Sequence, residues 1–464
     1  MKTLRQLAKA IDAKYFGEDV TIQAITHDTR DLNAGDIYIA LKGDRLDGHD
    51  FVGEALAKGA VAVIISQVPA ELEKQRLPYL LVEDTTLALG QLAKVWRQQF
   101  STKIAAITGS AGKTTTRNIL YAILSRAGKT LLPVKNYNNH WGVPLTLLRL
   151  RADDDYAVLE LGANHAGEIA YTVELVQPEV AVLTNAGASH LAGFGSLEGV
   201  AMAKSEIFQE FNKGQGIAIL NKEDRFYDFW KNKLKNIDQL SFCSIESQGA
   251  DVYATNIQMT DQGSSFTLHV FKDSMTVTLP LLGRNNINNA LAATAAAVAL
   301  KVNQEDIING LAAVVPEPGR LCLLPAVAGA RLIDDTYNAS VNAMLSALDV
   351  LSMFSGKRVA VLGDMGELGV DEIVYHQQVI EAAKKLGIDN LYVVGEKMQS
   401  AAHAFGEYAQ HFTTKKALVS QLITELNTNR LTCGELTILV KGSRAMRMEE
   451  VIEELQYHNE GALC

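Results

Sequence analysis

Along the chain, apolar positions recur in two rhythms, and the alternation between them predicts the architecture. Leu4, Leu7, Ala8 and Ile11 repeat at helical spacing behind Thr3, an N-cap residue type. Short apolar runs follow at Ile22–Thr26 and Ile37–Leu41. Phe51–Lys58 reads as a helix stopped by Gly59, Ala60–Ser66 as a buried strand, Tyr79–Glu83 as another strand and Thr85–Phe100 as a helix. A second stretch opens with the strand Lys103–Thr108, a glycine loop and a helix, and continues with strands at Tyr156–Leu161, Val180–Thr184 and Ile217–Asn221. Ser265–Val270 and Met275–Leu279 alternate apolar and polar residues around Lys272-Asp273-Ser274, the pattern of an antiparallel hairpin. The alanine-rich segment Asn289–Leu300 reads as a helix closing this stretch.

Beyond the cluster Pro316-Glu317-Pro318-Gly319 the alternation resumes. Strands are expected at Arg331–Asp334, Arg358–Leu362, Leu391–Val394 and Thr437–Val440, with helices at Val341–Phe354, Glu372–Leu386 and Met446–Gln456. Strands interleaved with helices predict parallel α/β sheets. The expected fold is α/β in three domains: a small mixed α/β domain over 1–83, a central P-loop domain with a mostly parallel sheet over 84–314, and a Rossmann-like domain over 315–464.

Composition fits that picture. With 464 residues the chain has room for about three domains. Its 48% hydrophobic and 21% charged residues are ordinary for a globular protein. The formal charge of −10 argues against non-specific nucleic-acid binding, which needs a basic footprint. The four cysteines are scattered and form no C-x-x-C pair, so no zinc site or disulfide framework is signalled. The first twenty residues carry no apolar h-region, and the longest near-apolar run, Ala290 to Leu300, is too short to span a bilayer. A cytoplasmic protein with no membrane partner is expected.

The strongest chemical signal is Thr108-Gly109-Ser110-Ala111-Gly112-Lys113-Thr114-Thr115, between an apolar strand and a helix. Glycines there let backbone N–H groups converge on phosphate oxygens, and the helix N-terminus adds partial positive charge. Lys113 would reach the β- and γ-phosphates and Thr114 would ligate Mg²⁺. The pattern is a shortened P-loop, because Ile107 stands where the strict form has glycine. Three more residues fall in the same stretch: Glu160 at a strand end, His190 just past another strand, and Lys204 on a helical segment. Ligands of open α/β sheets bind beyond the carboxyl ends of strands, so Glu160 and His190 suit a second Mg²⁺. Each also has an ordinary reading, as a helix cap, a loop histidine and a solvated helix charge.

Together these motifs resemble the Mur ligase family, the ATP-dependent amino-acid and peptide ligases of peptidoglycan synthesis, over essentially the whole chain. The match is closest to the MurF type, which joins D-alanyl-D-alanine to UDP-N-acetylmuramoyl-tripeptide. The residues that carry it are Asp28-Thr29-Arg30, the run Gly43 to Phe51, Asn138 to Pro144, Glu160 to Ile169, His190 to Phe208, Gly283 to Asn289, Pro318-Gly319-Arg320, Asp334 to Ala339, Gly363 to Gly369 and Lys441 to Arg444. The resemblance implies that Thr29, Arg30, Gly43, Asp47, Gly48, His49, Asn138, Asn139 and Asn164 hold the UDP-linked acceptor. It implies that Asn286 contacts adenine, Arg320 the γ-phosphate and Asp335 the ribose. Lys204 would be carbamylated by CO₂ and would join Glu160 and His190 at the second Mg²⁺. Asn338, Lys441, Ser443 and Arg444 are candidates for the dipeptide, with a helix-capping loop as the alternative for the last three. The chain departs from the family pattern at Thr29, Asn285 and Ser340-Val341, where serine, histidine and Asn-Pro are usual. A monomer is expected. The alternative from another class is a P-loop switch protein, which would need no third domain.

Overall fold

The computed structural model describes residues 3–69, 72, 77–134, 136–187, 191–213, 216–245, 249–366, 368–427 and 436–457. The described residues form three sheets, of five, nine and six strands, and one compact unit holds the first sheet and part of the second. That unit takes the chain up to Ala188, then Gly193–Phe242 and Ala292–Ile307; the other takes Cys243–Leu291 and the chain from Ile308 on.

The first sheet is built from β1 (Lys14–Phe16), β2 (Ile25–Thr26), β3 (Ile37–Ile39), β4 (Ala62–Ile65) and β5 (Tyr79–Leu81). Its order is β1-β5-β4-β3-β2, with only β1 antiparallel to its neighbour. Period-two geometry sends Ile37, Ile39 and Ile64 into one core, with Leu4, Leu89 and Leu92, and Tyr38, Val63 and Ile65 into the other, with Val52 and Ala55. The first helix, Leu4–Ala10, begins as expected: Thr3 and Gln6 form a reciprocal capping box. Leu145 and the rings of Tyr137 and Trp141 pack against the first core, and Trp141 Nε1 donates to Thr86 Oγ1 at 3.1 Å. The loop around Asn138 and Asn139 is thereby tied to the small sheet.

The parallel part of the central sheet runs β7 (Thr130–Leu131), β8 (Tyr156–Glu160), β6 (Lys103–Thr108), β9 (Val180–Leu183), β10 (Ile217–Asn221) and β11 (Asp238–Cys243). After β6 the chain fills one side with β7 and β8, then crosses to β9. The switch point therefore lies at β6, and Ile107 registers with Glu160 while Thr108 registers with Leu183. Three loops leave the carboxyl ends of three adjacent strands there, which is where such sheets bind ligands.

The second unit holds the meander β12 (Val252–Thr260), β13 (Gly263–Val270) and β14 (Asp273–Leu279), of which the sequence pattern showed only the last two strands. The final sheet has β15 (Cys322–Pro325), β16 (Arg331–Asp335), β17 (Lys357–Gly363), β18 (Asn390–Val394), β19 (Ala409–Phe412) and β20 (Leu436–Lys441), in the order β15-β16-β20-β17-β18-β19. All but β15 are parallel to their neighbours. Leu362, Val393 and Leu439 feed the core on one face, and Val361, Tyr392 and Val440 the core on the other. This is the Rossmann-like arrangement expected for the last third of the chain. Among the described residues no helix is long and apolar enough to cross a membrane.

Candidate active site

The P-loop forms as the sequence requires. Gly109 has φ +150° and Gly112 caps the helix Lys113–Ala127 in the left-handed region at φ +80°. A Cβ on Gly109 would overlap Thr184 Oγ1. Gly109→Ala should therefore cost about 3 kcal/mol in urea unfolding and weaken nucleotide binding with it. Wild-type stability in that variant would show that the loop is not held against β9.

That holding is done by the segment after β9, through a residue that motif reading passed over. Asn185 clamps Ala111: its Oδ1 accepts from Ala111 N at 2.9 Å and its Nδ2 donates to Ala111 O at 3.1 Å. Thr184 Oγ1 donates to the same carbonyl at 2.6 Å, and Ser110 N donates to Asn185 O at 3.0 Å. Ser110 Oγ and the backbone of Gly187 exchange bonds of 2.9 and 3.0 Å. The signal in the sequence is the run Thr184-Asn185-Ala186-Gly187 at the end of the strand before His190. His190 itself lies outside the described residues.

Behind the loop, the Lys113 ammonium donates to Gly109 O at 2.8 Å. Thr114 Oγ1 donates to Glu160 Oε2 at 2.9 Å, and Asn138 Nδ2 to Glu160 Oε1 at 2.8 Å. Glu160 is 2% exposed. Its described hydrogen bonds run to the side chains of Thr114 and Asn138. A hydroxyl that donates its proton to Glu160 can meet a cation through an oxygen lone pair. One carboxylate and one hydroxyl, both hard oxygen donors, fit Mg²⁺. Among the described residues no group of three or more His, Cys, Asp or Glu is placed to hold a metal ion.

Lys204 is no solvated helix charge. It is 1% exposed, its Nζ lies 3.5 Å from Ala163 O, and it sits over the Phe194 ring at 5.3 Å. Burial first, and then the positive charge of Lys113, pull its pKa down to about 7, against the opposing pull of Glu168, Glu206 and Glu160. Glu206 accepts from Gly167 N and Ala170 N, and Glu168 from Asn164 N at 2.7 Å, so both acids are spent on the start of the helix Glu168–Val176. The Asn164 side chain is exposed. Asn139 Oδ1 accepts from Trp141 N at 3.2 Å and from Gly142 N at 2.8 Å, where the helix Gly142–Leu147 begins.

In the small domain, His49 bridges two loops. Its Nε2 accepts from Ser66 N at 3.0 Å, which leaves the Nδ1 proton for Asp47 Oδ1 at 2.6 Å. Gly48 lies against Leu41, whose backbone a Cβ would overlap, and Gly43 against the Trp141 ring. Thr29 Oγ1 donates to Glu54 at 2.8 Å. Arg30 is exposed and pairs with Asp28; its hydrogen bond is the main reason the Asp28 carboxyl falls to about 2.

In the second unit, Arg320 lies 4.2 Å from the Tyr337 ring centre, a cation–π geometry, beside Gly319 at φ +77°. Asp335 accepts from Leu321 N at 3.2 Å and pairs with Lys441 at 2.6 Å. Lys441 is 2% exposed and also donates to Asn338 O at 2.8 Å. As a dipeptide ligand it is therefore poorly placed; it fixes Asp335 and the Asn338 loop. Asn338 Oδ1 accepts from Ala339 N and Arg444 N. Buried Ser443 donates its N–H to Asp364 O, whereas Arg444 is exposed and paired with Glu449 at 2.9 Å. Asn286, which precedes the helix expected from Asn289, lies in the first turn of the helix Arg284–Ala299, where its amide bonds Leu282 O and Asn289. Both ends of that amide are used within the fold.

A P-loop edge joined to a buried carboxylate and a buried, easily deprotonated lysine defines an ATP-site α/β protein. Family comparison agrees: residues 21–97 match the Mur ligase family catalytic domain, 107–297 the Mur ligase middle domain, and 319–444 the Mur ligase glutamate ligase domain. The chain belongs to the Mur ligase family. It is 44% identical to the UDP-N-acetylmuramoyl-tripeptide–D-alanyl-D-alanine ligase of Escherichia coli strain K12, over 98% of each chain. It is 38% identical to the ligase of the same name in Haemophilus influenzae, over 97% of each. Among solved structures it resembles MurF from Acinetobacter baumannii, with a TM-score of 0.89 and 37% identity over 98% of each chain. It also resembles MurF ligase from Thermotoga maritima in complex with ADP, with a TM-score of 0.81 and 29% identity over 95% of this chain and 98% of that one.

Proposed function

We propose that this chain joins D-alanyl-D-alanine to UDP-N-acetylmuramoyl-tripeptide at the expense of ATP, in the cytoplasmic synthesis of peptidoglycan precursor. The observation that carries this reading is the full-length likeness to ligases of that name. The central site supports the chemistry.

The acceptor carboxylate attacks the γ-phosphorus, an O–P bond forms, the β,γ-bridge breaks and ADP leaves. The dipeptide amine then attacks the acyl carbon of the acyl phosphate, loses a proton, and phosphate departs with the bonding electrons. Two anions must approach each other, so positioning and charge neutralisation dominate. The P-loop amides and Lys113 hold the polyphosphate; Arg320 is assigned to the γ-phosphate and Asp335 to the ribose. Thr114 would hold one Mg²⁺, and Glu160, His190 and carbamylated Lys204 a second; the metals would supply charge neutralisation between carboxylate and polyphosphate. The depressed Lys204 supports the carbamate, because only a neutral amine adds to CO₂. The uridine-linked acceptor is assigned to Thr29, Arg30, Gly43, Asp47, Gly48, His49, Asn138, Asn139 and Asn164. The dipeptide is assigned to Asn338, Ser443 and Arg444, and Lys441 is assigned to positioning them. We assign domains to 1–83, 84–314 and 315–464, and a monomer.

Phosphate release tests the reading. It should require UDP-tripeptide and D-Ala-D-Ala together, with acceptors ending in diaminopimelate or lysine run side by side. Nucleotide hydrolysis that ignores both substrates would favour a switch protein instead.

A further inference from the structure

Arg117 is a charged residue buried beside the site, and the reaction as assigned gives it no role. It follows Thr114 by three positions and Lys113 by four, so all three side chains share one face of the helix Lys113–Ala127. Arg117 is 3% exposed. Asn118 Oδ1 accepts from its Nε at 3.0 Å and from NH2 at 2.9 Å, which fixes the guanidinium plane. NH1 lies 3.6 Å from Glu160 Oε2, the same oxygen that accepts from Thr114. That separation is an ion pair longer than a hydrogen bond. The oxygens of Glu160 already take protons from Thr114 and Asn138; what Arg117 adds is charge. A guanidinium does not deprotonate in proteins, so the charge is permanent.

We propose that Arg117 is the built-in counter-cation of Glu160. It holds the buried carboxylate in place while no metal is bound, and it competes with a divalent ion for Oε2. The inference rests on the reading of Glu160 as a metal ligand. Removing one partner of a buried ion pair strands the other charge, so an empty site without Arg117 would be costly. A second cation on the same oxygen is repelled at close range. The nucleotide-free protein should therefore bind divalent ions weakly, and the metal should enter together with the polyphosphate, whose negative charge outweighs Arg117. Arg117 is a positioning residue, acting through Glu160.

The test is Mn²⁺ binding to the nucleotide-free, full-length protein, read from the loss of the free-ion paramagnetic resonance signal, with melting curves in the presence and absence of MnCl₂. R117Q should bind Mn²⁺ about fivefold tighter than the parent, since a neighbouring positive charge is gone. It should also melt lower without the ion and regain more on its addition. E160Q should abolish Mn²⁺ binding in both backgrounds. Unchanged or weaker binding in R117Q, with binding still lost in E160Q, overturns the counter-cation and leaves the metal reading standing. Parent-like binding in E160Q removes Glu160 from the metal site and takes the inference with it. If R117Q folds only when Mn²⁺ is present, that is the expected dependence in its strongest form. If it folds in neither buffer, Asn118→Ala carries the test: it loosens the guanidinium without removing it. Binding should then tighten about twofold, and no tightening overturns the proposal.

Discussion

Lys113→Ala is expected to lower ATP-dependent phosphate release by about a thousandfold or more, the scale seen when a preorganised cation is removed from a phosphoryl-transfer site. The chain carries a formal charge of −10, so no global positive field replaces a lost local cation. The fold should survive, because the helix Lys113–Ala127 keeps its buried apolar face of Ile119, Leu120, Ile123 and Leu124. ADP affinity should fall as well, by about tenfold, as a close charge pair is lost. A second consequence is specific to this site. Lys113 is one of the groups that depress Lys204. Without it, Lys204 should move upward, and the residual activity should shift toward alkaline pH. Residual activity with the parent's pH profile would separate the two lysines, and near-normal turnover would remove the nucleotide from this loop.

How much of this the sequence showed depends on whether one segment carries the whole signal. The strands Lys103–Thr108 and Ile217–Asn221 match the structure residue for residue, because each is an unbroken apolar run with clear ends. Val252–Thr260 was missed because half of it is exposed and a register shift between Thr255 and Gln258 breaks its alternation. The helix placed at Asn289 begins at Arg284, since asparagines disguise a first turn: their side chains compete for backbone groups. The P-loop and Glu160 were legible as a motif and a strand end. The burial of Lys204 was not, because its neighbours Ala163 and Phe194 come from other segments. Arg117 was hidden for the same reason. A helix arginine reads as solvated until the strand carrying Glu160 is laid beside it.

Lys204→Ala should lower turnover by about a thousandfold, with part of the loss restored by short carboxylic acids such as acetate or propionate. The argument runs from burial to charge to chemistry. An ammonium at 1% exposure, with Lys113 near, is disfavoured, and the group titrates at about 7. The unfolded chain keeps an ordinary lysine, so between about 7 and the unfolded value near 10.4 the unfolded state binds more protons, and stability rises with pH across that window. Below about 7 the folded protein bears the full cost of a buried ammonium. The same titration controls reactivity. The neutral amine adds to CO₂ to form the N–C bond and releases a proton, and the product is an anion able to hold a cation where an ammonium cannot. Wild-type activity should therefore fall as pH drops through about 7, and added bicarbonate should restore part of it. The alanine variant should lose the bicarbonate response and gain a response to carboxylic acids, which bring the missing carboxylate into the emptied space. Full activity without either acid or bicarbonate would exclude Lys204 from the metal site. Loss of activity with no rescue by any short acid would make its role one of packing against Phe194.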